Sequence, residues 1–125
     1  MKINIREVRM GRKLVIVLDC DGLLTMGAPC VFLREQVNSV IKKGPGKVLL
    51  NMEKVTVIDY EGLDELVRSY TSAREGDIKL RIACIAKGIL RLLETHKLQT
   101  ILLIPGTLEE AIDSIIRKRD HTIAA

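Results

Sequence analysis

The sequence predicts a single α/β domain whose sheet is mostly parallel and opens with an antiparallel hairpin. Apolar runs rich in β-branched residues recur along the chain, amphipathic helical stretches separate most of them, and only a short turn separates the first two runs. Strands that alternate with helices favour a parallel sheet covered by helices. The predicted order is ββαβαβαβα over residues 1–125, with a four-to-five-stranded sheet and four helices.

The opening hairpin is predicted at residues 2–9 and 13–20. Ile3, Ile5 and Val8 alternate loosely with polar residues, and a Gly-Arg-Lys turn follows. The second run is almost continuously apolar, which is typical of a buried central strand. The next segment is predicted to be a loop because it carries these turn-forming and polar residues: Asp21, Gly22, Thr25, Gly27 and Pro29.

The later elements follow from periodicity and from helix-end signals. Apolar residues spaced at helical intervals predict helices near 30–42, 61–75, 88–96 and 107–118. Short apolar runs predict strands near 47–51, 78–85 and 101–104.

The last helix is predicted from a capping box formed by Thr107 and Glu110. Ile112 and Ile115 are predicted to be buried on its sheet-facing side. Residues 120–125 are expected to form a flexible tail.

Composition excludes several function classes. Hydrophobic residues make up 47% of the chain and charged residues 29%, with a net charge of +4. Aromatic residues make up only 2%, which argues against a nucleic-acid surface that relies on base stacking. No apolar run approaches the roughly 20 residues needed to span a membrane. The start of the chain has no apolar signal core, so a cytoplasmic protein is expected.

Cysteine and histidine usage predicts neither a metal nor another cofactor. The chain has three cysteines without a Cys-x-x-Cys motif, as expected in a reducing compartment. Cys20 and Cys84 lie in apolar segments and are predicted to be small core residues. The two histidines have no partners at ligand spacing.

One enzymatic interpretation rests on Asp19 and Asp21. The apolar run that ends in Asp-Cys-Asp-Gly resembles the first motif of haloacid-dehalogenase-type phosphatases. That resemblance implies that Asp19 attacks phosphorus and Asp21 acts as acid and base beside a magnesium ion. The later carboxylates that would complete such a site are missing, and Gly76-Asp77 is the nearest match. This small phosphatase is the alternative function.

A phospho-receiver domain, with Asp59 as the phosphoryl acceptor, is a weaker interpretation. The two later strands of that fold end in a hydroxyl residue and a lysine. Residues 83–87 supply no hydroxyl here, and residues 105–106 are Pro-Gly.

A third interpretation covers almost the whole chain. The order of elements and the spacing of several segments resemble the STAS domain, in particular the stand-alone anti-sigma factor antagonists. The matching segments are Val17–Thr25, Lys47–Met52, Val55–Leu63, Leu66–Arg74 and His96–Leu98.

The resemblance implies a binding protein without catalysis. Such antagonists sequester a serine-kinase anti-sigma factor in partner-switching control of transcription. The kinase can phosphorylate a serine that directly follows the aspartate of an Asp-Ser-x-Gly-Leu motif. Here that position is Tyr60, and Glu61 follows it. The regulatory serine is therefore absent, and we expect no phosphorylation at Tyr60.

The residues expected to face the partner lie in two segments. They are Asp59, Tyr60, Glu61, Gly62 and Leu63, together with Asp21, Gly22 and Thr25. An exposed tyrosine suits an interface anchor. The expected partner is an anti-sigma factor kinase or a related protein, and neither nucleic acid nor membrane is expected. A homodimer and a nucleotide or lipid-system partner stay open.

Residue chemistry gives the same segment an ordinary structural role. Asp59 can cap a helix by accepting backbone N–H bonds. Glu61, Asp64 and Glu65 lie near the first turn, where the helix dipole favours negative charge. Gly62 can allow a close backbone approach.

Overall fold

The computed structural model describes residues 1–97 and 102–117. In these residues the elements follow the predicted order ββαβαβαβα. They are β1 (Lys2–Met10), β2 (Lys13–Leu24), α1 (Ala28–Lys42), β3 (Lys47–Ile58), α2 (Tyr60–Glu75), β4 (Lys79–Ala83), α3 (Lys87–Thr95), β5 (Leu103–Ile104) and α4 (Leu108–Arg117). The proposed tail, residues 120–125, lies outside the described residues.

The strands form one sheet in the order β1-β2-β3-β4-β5. β1 pairs with β2 antiparallel, and the other three pairings are parallel. The mixed sheet with an antiparallel hairpin edge is therefore confirmed. Because the carboxyl ends of parallel strands share an edge, the loops that follow β2 and β3 lie side by side.

The prediction that Asp21 and Gly22 lie in a loop was wrong. β2 continues to Leu24, because the backbone after Asp19 pairs with the second half of β3. The register shifts on both sides of the Asp21–Gly22 pair, and Gly22 has a φ of 118°, which suits glycine. Pro29 is also outside the loop. It lies in the first turn of α1, where a missing N–H costs little.

Two apolar clusters cover the two faces of the sheet. On one face, α1, α2 and α3 pack against β2, β3 and β4. Its fully buried side chains include Leu18, Leu33, Leu50, Leu66 and Leu93. On the other face, α4 packs against β2, β3 and β4. That cluster consists of Val15, Val17, Leu49, Ala83, Ala111, Ile115 and Ile116.

Of the two residues predicted to be buried in the last helix, one is buried and the other is not. The capping box is confirmed, because Thr107 Oγ1 accepts from Glu110 N and Glu110 Oε1 accepts from Thr107 N. Ile115 is 0% exposed, as predicted. The prediction that Ile112 is buried was wrong: it is half-buried at the edge of the cluster. Ala111 and Ile115 form the centre of the buried stripe, and Ile112 lies on its flank.

The two cysteines predicted to be core residues differ in burial. Cys20 is buried, as predicted, whereas Cys84 is half-buried beyond the end of β4. No helix in residues 1–97 and 102–117 is both long and apolar enough to cross a membrane.

Candidate partner-binding surface

The carboxylate of Asp59 joins the start of α2 to the loop after β2. Asp59 is the N-cap of α2, and its Oδ1 accepts a hydrogen bond from Gly62 N at 2.8 Å. Its Oδ2 accepts one from Met26 N at 2.9 Å. The predicted capping role is confirmed. The second bond means that one side chain positions both segments of the surface.

Gly62 allows α2 to contact the end of β2 directly. A Cβ atom at this position would collide with the carbonyl oxygen of Leu24 and lie 3.0 Å from side-chain atoms of Leu24 and Ile58. The close backbone approach expected at Gly62 is therefore confirmed. Any side chain here would push α2 away from β2.

Exposed apolar side chains are concentrated where β2 and β3 end. Tyr60 is 67% exposed and Met26 is 72% exposed. Leu23 and Val57 are also exposed and are register partners on adjacent strands. We call Leu23, Met26, Val57 and Tyr60 the apolar rim. The apolar rim contains four of the seven large apolar side chains that are exposed in the described residues. Exposed apolar surface is therefore concentrated at this edge instead of being spread evenly over the protein.

Tyr60 also contacts the end of α3. Its ring meets that of His96 edge to face, with centroids 5.7 Å apart and an angle of 87° between the rings. This geometry is favourable for aromatic pairs. His96 was not identified as a site residue from the sequence, because nothing in the sequence brings positions 60 and 96 together.

The other residues expected to face a partner lie at different depths. Glu61 is exposed beside Tyr60, and Thr25 is half-buried beside Met26. Gly62 and Leu63 are buried beneath the start of α2, so they support the surface from below. Asp21 is exposed on β2. Its backbone pairs with Lys2 and Lys54 at a distance from the start of α2.

Glu65 is not a helix-start charge on the surface. It is 1% exposed, and its Oε1 accepts a hydrogen bond from Arg34 Nη2 on α1 at 2.7 Å. Glu61 is the acid in the first turn of α2, and Asp64 lies exposed in the next turn.

Asp19, proposed as a phosphatase nucleophile in the alternative interpretation, is engaged in a polar network. Its Oδ2 lies 2.7 Å from Arg6 Nε, and its Oδ1 accepts from Asn51 Nδ2 at 2.8 Å. Burial would raise the pKa of Asp19, but the hydrogen bonds from Arg6 and Asn51 outweigh it and lower that pKa. Among the described residues, no three His, Cys, Asp or Glu side chains are grouped to hold a metal ion. The structure gives the phosphatase alternative no support.

The cap at Asp59 predicts a specific dependence of stability on pH. Backbone N–H groups of Met26 and Gly62 hold the pKa of Asp59 below its ordinary value. A carboxylate whose folded pKa is lowered stabilises the fold above its unfolded pKa. That contribution disappears as pH falls through the folded pKa. We therefore expect Asp59→Asn to be less stable than the wild type at neutral pH, with the difference shrinking towards about pH 3.

Urea unfolding of the wild type and of Asp59→Asn, at neutral pH and at about pH 3, measures this difference in stability. Asp64→Asn, which changes an exposed acid in the same helix, is the matched control and should show no comparable loss at neutral pH. An equal deficit of Asp59→Asn at both pH values would contradict the capping role of the ionised carboxylate.

Comparison with known proteins places this geometry in a family. The family model of the STAS domain matches residues 14–111. No curated protein matches the chain.

Several solved structures share the fold at low sequence identity. A putative anti-sigma factor antagonist from Thermotoga maritima is 20% identical with a TM-score of 0.77, over 90% of this chain and 95% of that one. The Bacillus cell fate determinant SpoIIAA in its phosphorylated form is 16% identical with a TM-score of 0.67, over 90% and 99%. A sulfate transporter family protein from Wolinella succinogenes is 15% identical with a TM-score of 0.65, over 81% and 84%.

The resemblance inferred from the sequence is thereby confirmed, and its fold is shared by antagonists and by a transporter-family protein. The family match extends from the start of β2 into α4 and includes the capped start of α2 and the loop after β2. The chain belongs to the STAS domain family.

Proposed function

We propose that the chain is a cytoplasmic protein-binding module that acts as an anti-sigma factor antagonist does. It sequesters a serine-kinase anti-sigma factor and so takes part in partner-switching control of transcription. It works by binding and carries out no catalysis. Membership of the STAS family and the shared fold of anti-sigma factor antagonists support this role.

The observation that carries the proposal is the placement of Tyr60. Tyr60 directly follows the capping residue Asp59, belongs to the apolar rim and is 67% exposed. This is the position at which the family resemblance implies a regulatory serine. A tyrosine supplies a large amphipathic side chain of the kind that anchors protein interfaces.

The chemistry of the surface specifies what the partner must offer. An apolar pocket on the partner would complement the apolar rim. Basic residues around that pocket would complement the exposed acids Glu61 and Asp64. Glu61 also places a fixed negative charge next to the regulatory position. One carboxylate carries less charge and fewer acceptor oxygens than a phosphate, so it substitutes for a phosphate only in part.

The binding test uses a serine-kinase anti-sigma factor from the same organism as the candidate partner. Calorimetry should show binding by the wild type and at least about tenfold weaker binding by Met26→Ala, as expected for an anchor in the interface. Met10→Ala, which removes an exposed methionine from the far end of β1, should bind like the wild type. Equal affinity of all three proteins would remove the apolar rim from the interface.

The same kinase tests the loss of the switch. A serine kinase needs an aliphatic hydroxyl placed for in-line transfer, and a phenol places its oxygen several ångströms further out. After incubation with ATP, mass spectrometry should find no phosphate at position 60 of the wild type and should find one in Tyr60→Ser. Phosphate on Tyr60 of the wild type would refute the loss of the switch.

A further inference from the structure

A groove between α1 and α2, away from the apolar rim, is bordered by several polar side chains. It has a volume of about 350 Å³. The side chains that matter here are Arg34, Asn38, Glu65, Arg68, Ser69 and Ser72. Most of these side chains are exposed, as is usual at the margin of a helix pair, but Glu65 and Ser69 are polar and buried.

The floor of the groove carries a buried carboxylate with two guanidinium groups around it. Glu65 Oε1 lies 2.7 Å from Arg34 Nη2 and 4.0 Å from Arg68 Nη1. The Glu65 side chain is 2% exposed, whereas those of Arg34 and Arg68 are 45% and 62% exposed. The negative charge is therefore enclosed, while both arginine side chains remain partly exposed. Two cations around one anion leave the Arg34–Glu65–Arg68 cluster with one net positive charge.

Ser69 supplies a second, independent observation. Its side chain is buried, with 3% of the residue exposed, and it borders the groove. Ser69 Oγ has no hydrogen-bond partner, and it is the one fully buried side-chain polar atom in the described residues of which this is true. A helical serine commonly bonds the carbonyl oxygen four residues earlier, but Ser69 does not. Leaving a buried hydroxyl unpaired costs free energy, and an ion or ligand that accepts its hydrogen bond is one way to recover that cost.

The inventory of hydrogen-bonding groups specifies the ligand. Arg34, Arg68 and the amide of Asn38 offer N–H donors, and the hydroxyls of Ser69 and Ser72 can donate as well. The carboxylate of Glu65 is already paired with Arg34. Glu75 also borders the groove, but it lies six residues beyond Ser69, or about 9 Å along the helix axis. A cluster rich in donors, in which Arg34, Glu65 and Arg68 together carry one net positive charge, favours an oxyanion at the end of the groove away from Glu75.

We propose that this groove binds a phosphate oxyanion, with Ser69 Oγ and the guanidinium groups of Arg34 and Arg68 as its donors. Inorganic phosphate and a phosphate monoester share this chemistry. The site is separate from the apolar rim and does not depend on the proposed function. It would make the protein responsive to a small anion as well as to a protein partner.

Thermal unfolding of the full chain tests the proposal, with inorganic phosphate compared against sodium chloride at equal ionic strength. Phosphate should raise the Tm of the wild type, because a ligand that binds only the folded state stabilises it. Ser69→Ala should have an unliganded Tm equal to or above that of the wild type, because it removes the unpaired hydroxyl. It should nevertheless lose the phosphate-dependent rise. This combination distinguishes a ligand site from a merely structural residue.

Two arginine variants and a spectroscopic readout complete the test. Arg68→Gln should also lose the rise, whereas Arg74→Gln, an exposed arginine of the same helix outside the groove, should keep it. Phosphate should shift the amide resonances of Arg68, Ser69 and Ser72 in a nitrogen-15 correlation spectrum. Glycerol 3-phosphate in place of inorganic phosphate shows which source is preferred, according to which of the two acts at the lower concentration.

Either of two results would overturn the proposal. One is a Tm that does not respond to phosphate beyond the chloride control. The other is a response that persists unchanged in Ser69→Ala and Arg68→Gln, since that would assign the effect to general surface charge.

Discussion

Gly62→Val is expected to destabilise the protein by about 3 kcal/mol or more, because it forces a side chain into a backbone contact. The first atom of that side chain would collide with the carbonyl oxygen of Leu24, and a carbonyl in a paired strand cannot rotate away as a flexible side chain can. The collision is removed only if α2 moves away from the end of β2. The hydrogen bond between Asp59 and Met26 should break with it, so partner binding should be lost as well.

Urea unfolding measures the loss, and Gly88→Val is its matched control. Gly88 lies within α3, and a Cβ atom there would meet nothing within 4 Å. The same substitution should therefore be close to neutral, because valine is a slightly better helix former than glycine. Similar losses in both variants would show that the loss at position 62 does not come from the close approach to Leu24.

Ile115→Ala is the second substitution with a large expected effect. Ile115 is 0% exposed between α4 and the sheet, where it contacts the cluster that includes Val15, Val17 and Leu49. Removing its buried methyl and methylene groups should cost about 2–5 kcal/mol in the free energy of unfolding. α4 is the only helix in the described residues on this face, so no neighbouring helix can move in to fill the cavity.

The control is Ile112→Ala in the same helix. Ile112 is half-buried, so its truncation removes less buried surface and should cost clearly less than that of Ile115. Equal costs at the two positions would mean that α4 is rotated relative to the packing described above.

The fold was predictable because its signals are local. The apolar runs of β2, β3 and β4 and the periodicity of the helices depend on neighbours in sequence, and the observed elements follow them closely. The exceptions are the second halves of β2 and β3, since β3 was predicted near 47–51 but continues to Ile58. Asp21 and Gly22 have the composition of a loop, but pairing with β3 holds them in a strand. Tertiary pairing overrode local propensity there.

The candidate site was predictable only where its contacts join residues that are close in sequence. Capping by Asp59 and the close approach at Gly62 follow from local helix-start chemistry, and both were inferred from the sequence. The contacts of Asp59 with Met26, Tyr60 with His96 and Glu65 with Arg34 join residues more than thirty positions apart. Nothing in one sequence indicates which distant polar or aromatic residues meet, so these contacts required the structure.

The bond from Met26 to Asp59 also has a consequence for synthesis of the chain. It joins residues 33 positions apart, at the ends of the paired strands β2 and β3, so both strands must have been synthesised before the two groups can meet. The contact of Tyr60 with His96 closes only after α3 has been made. A growing chain on the ribosome therefore cannot form the contact between Tyr60 and His96 until residue 96 has emerged. A peptide copied from the start of α2 would have the sequence of this segment but neither of the two long-range contacts that hold it in place.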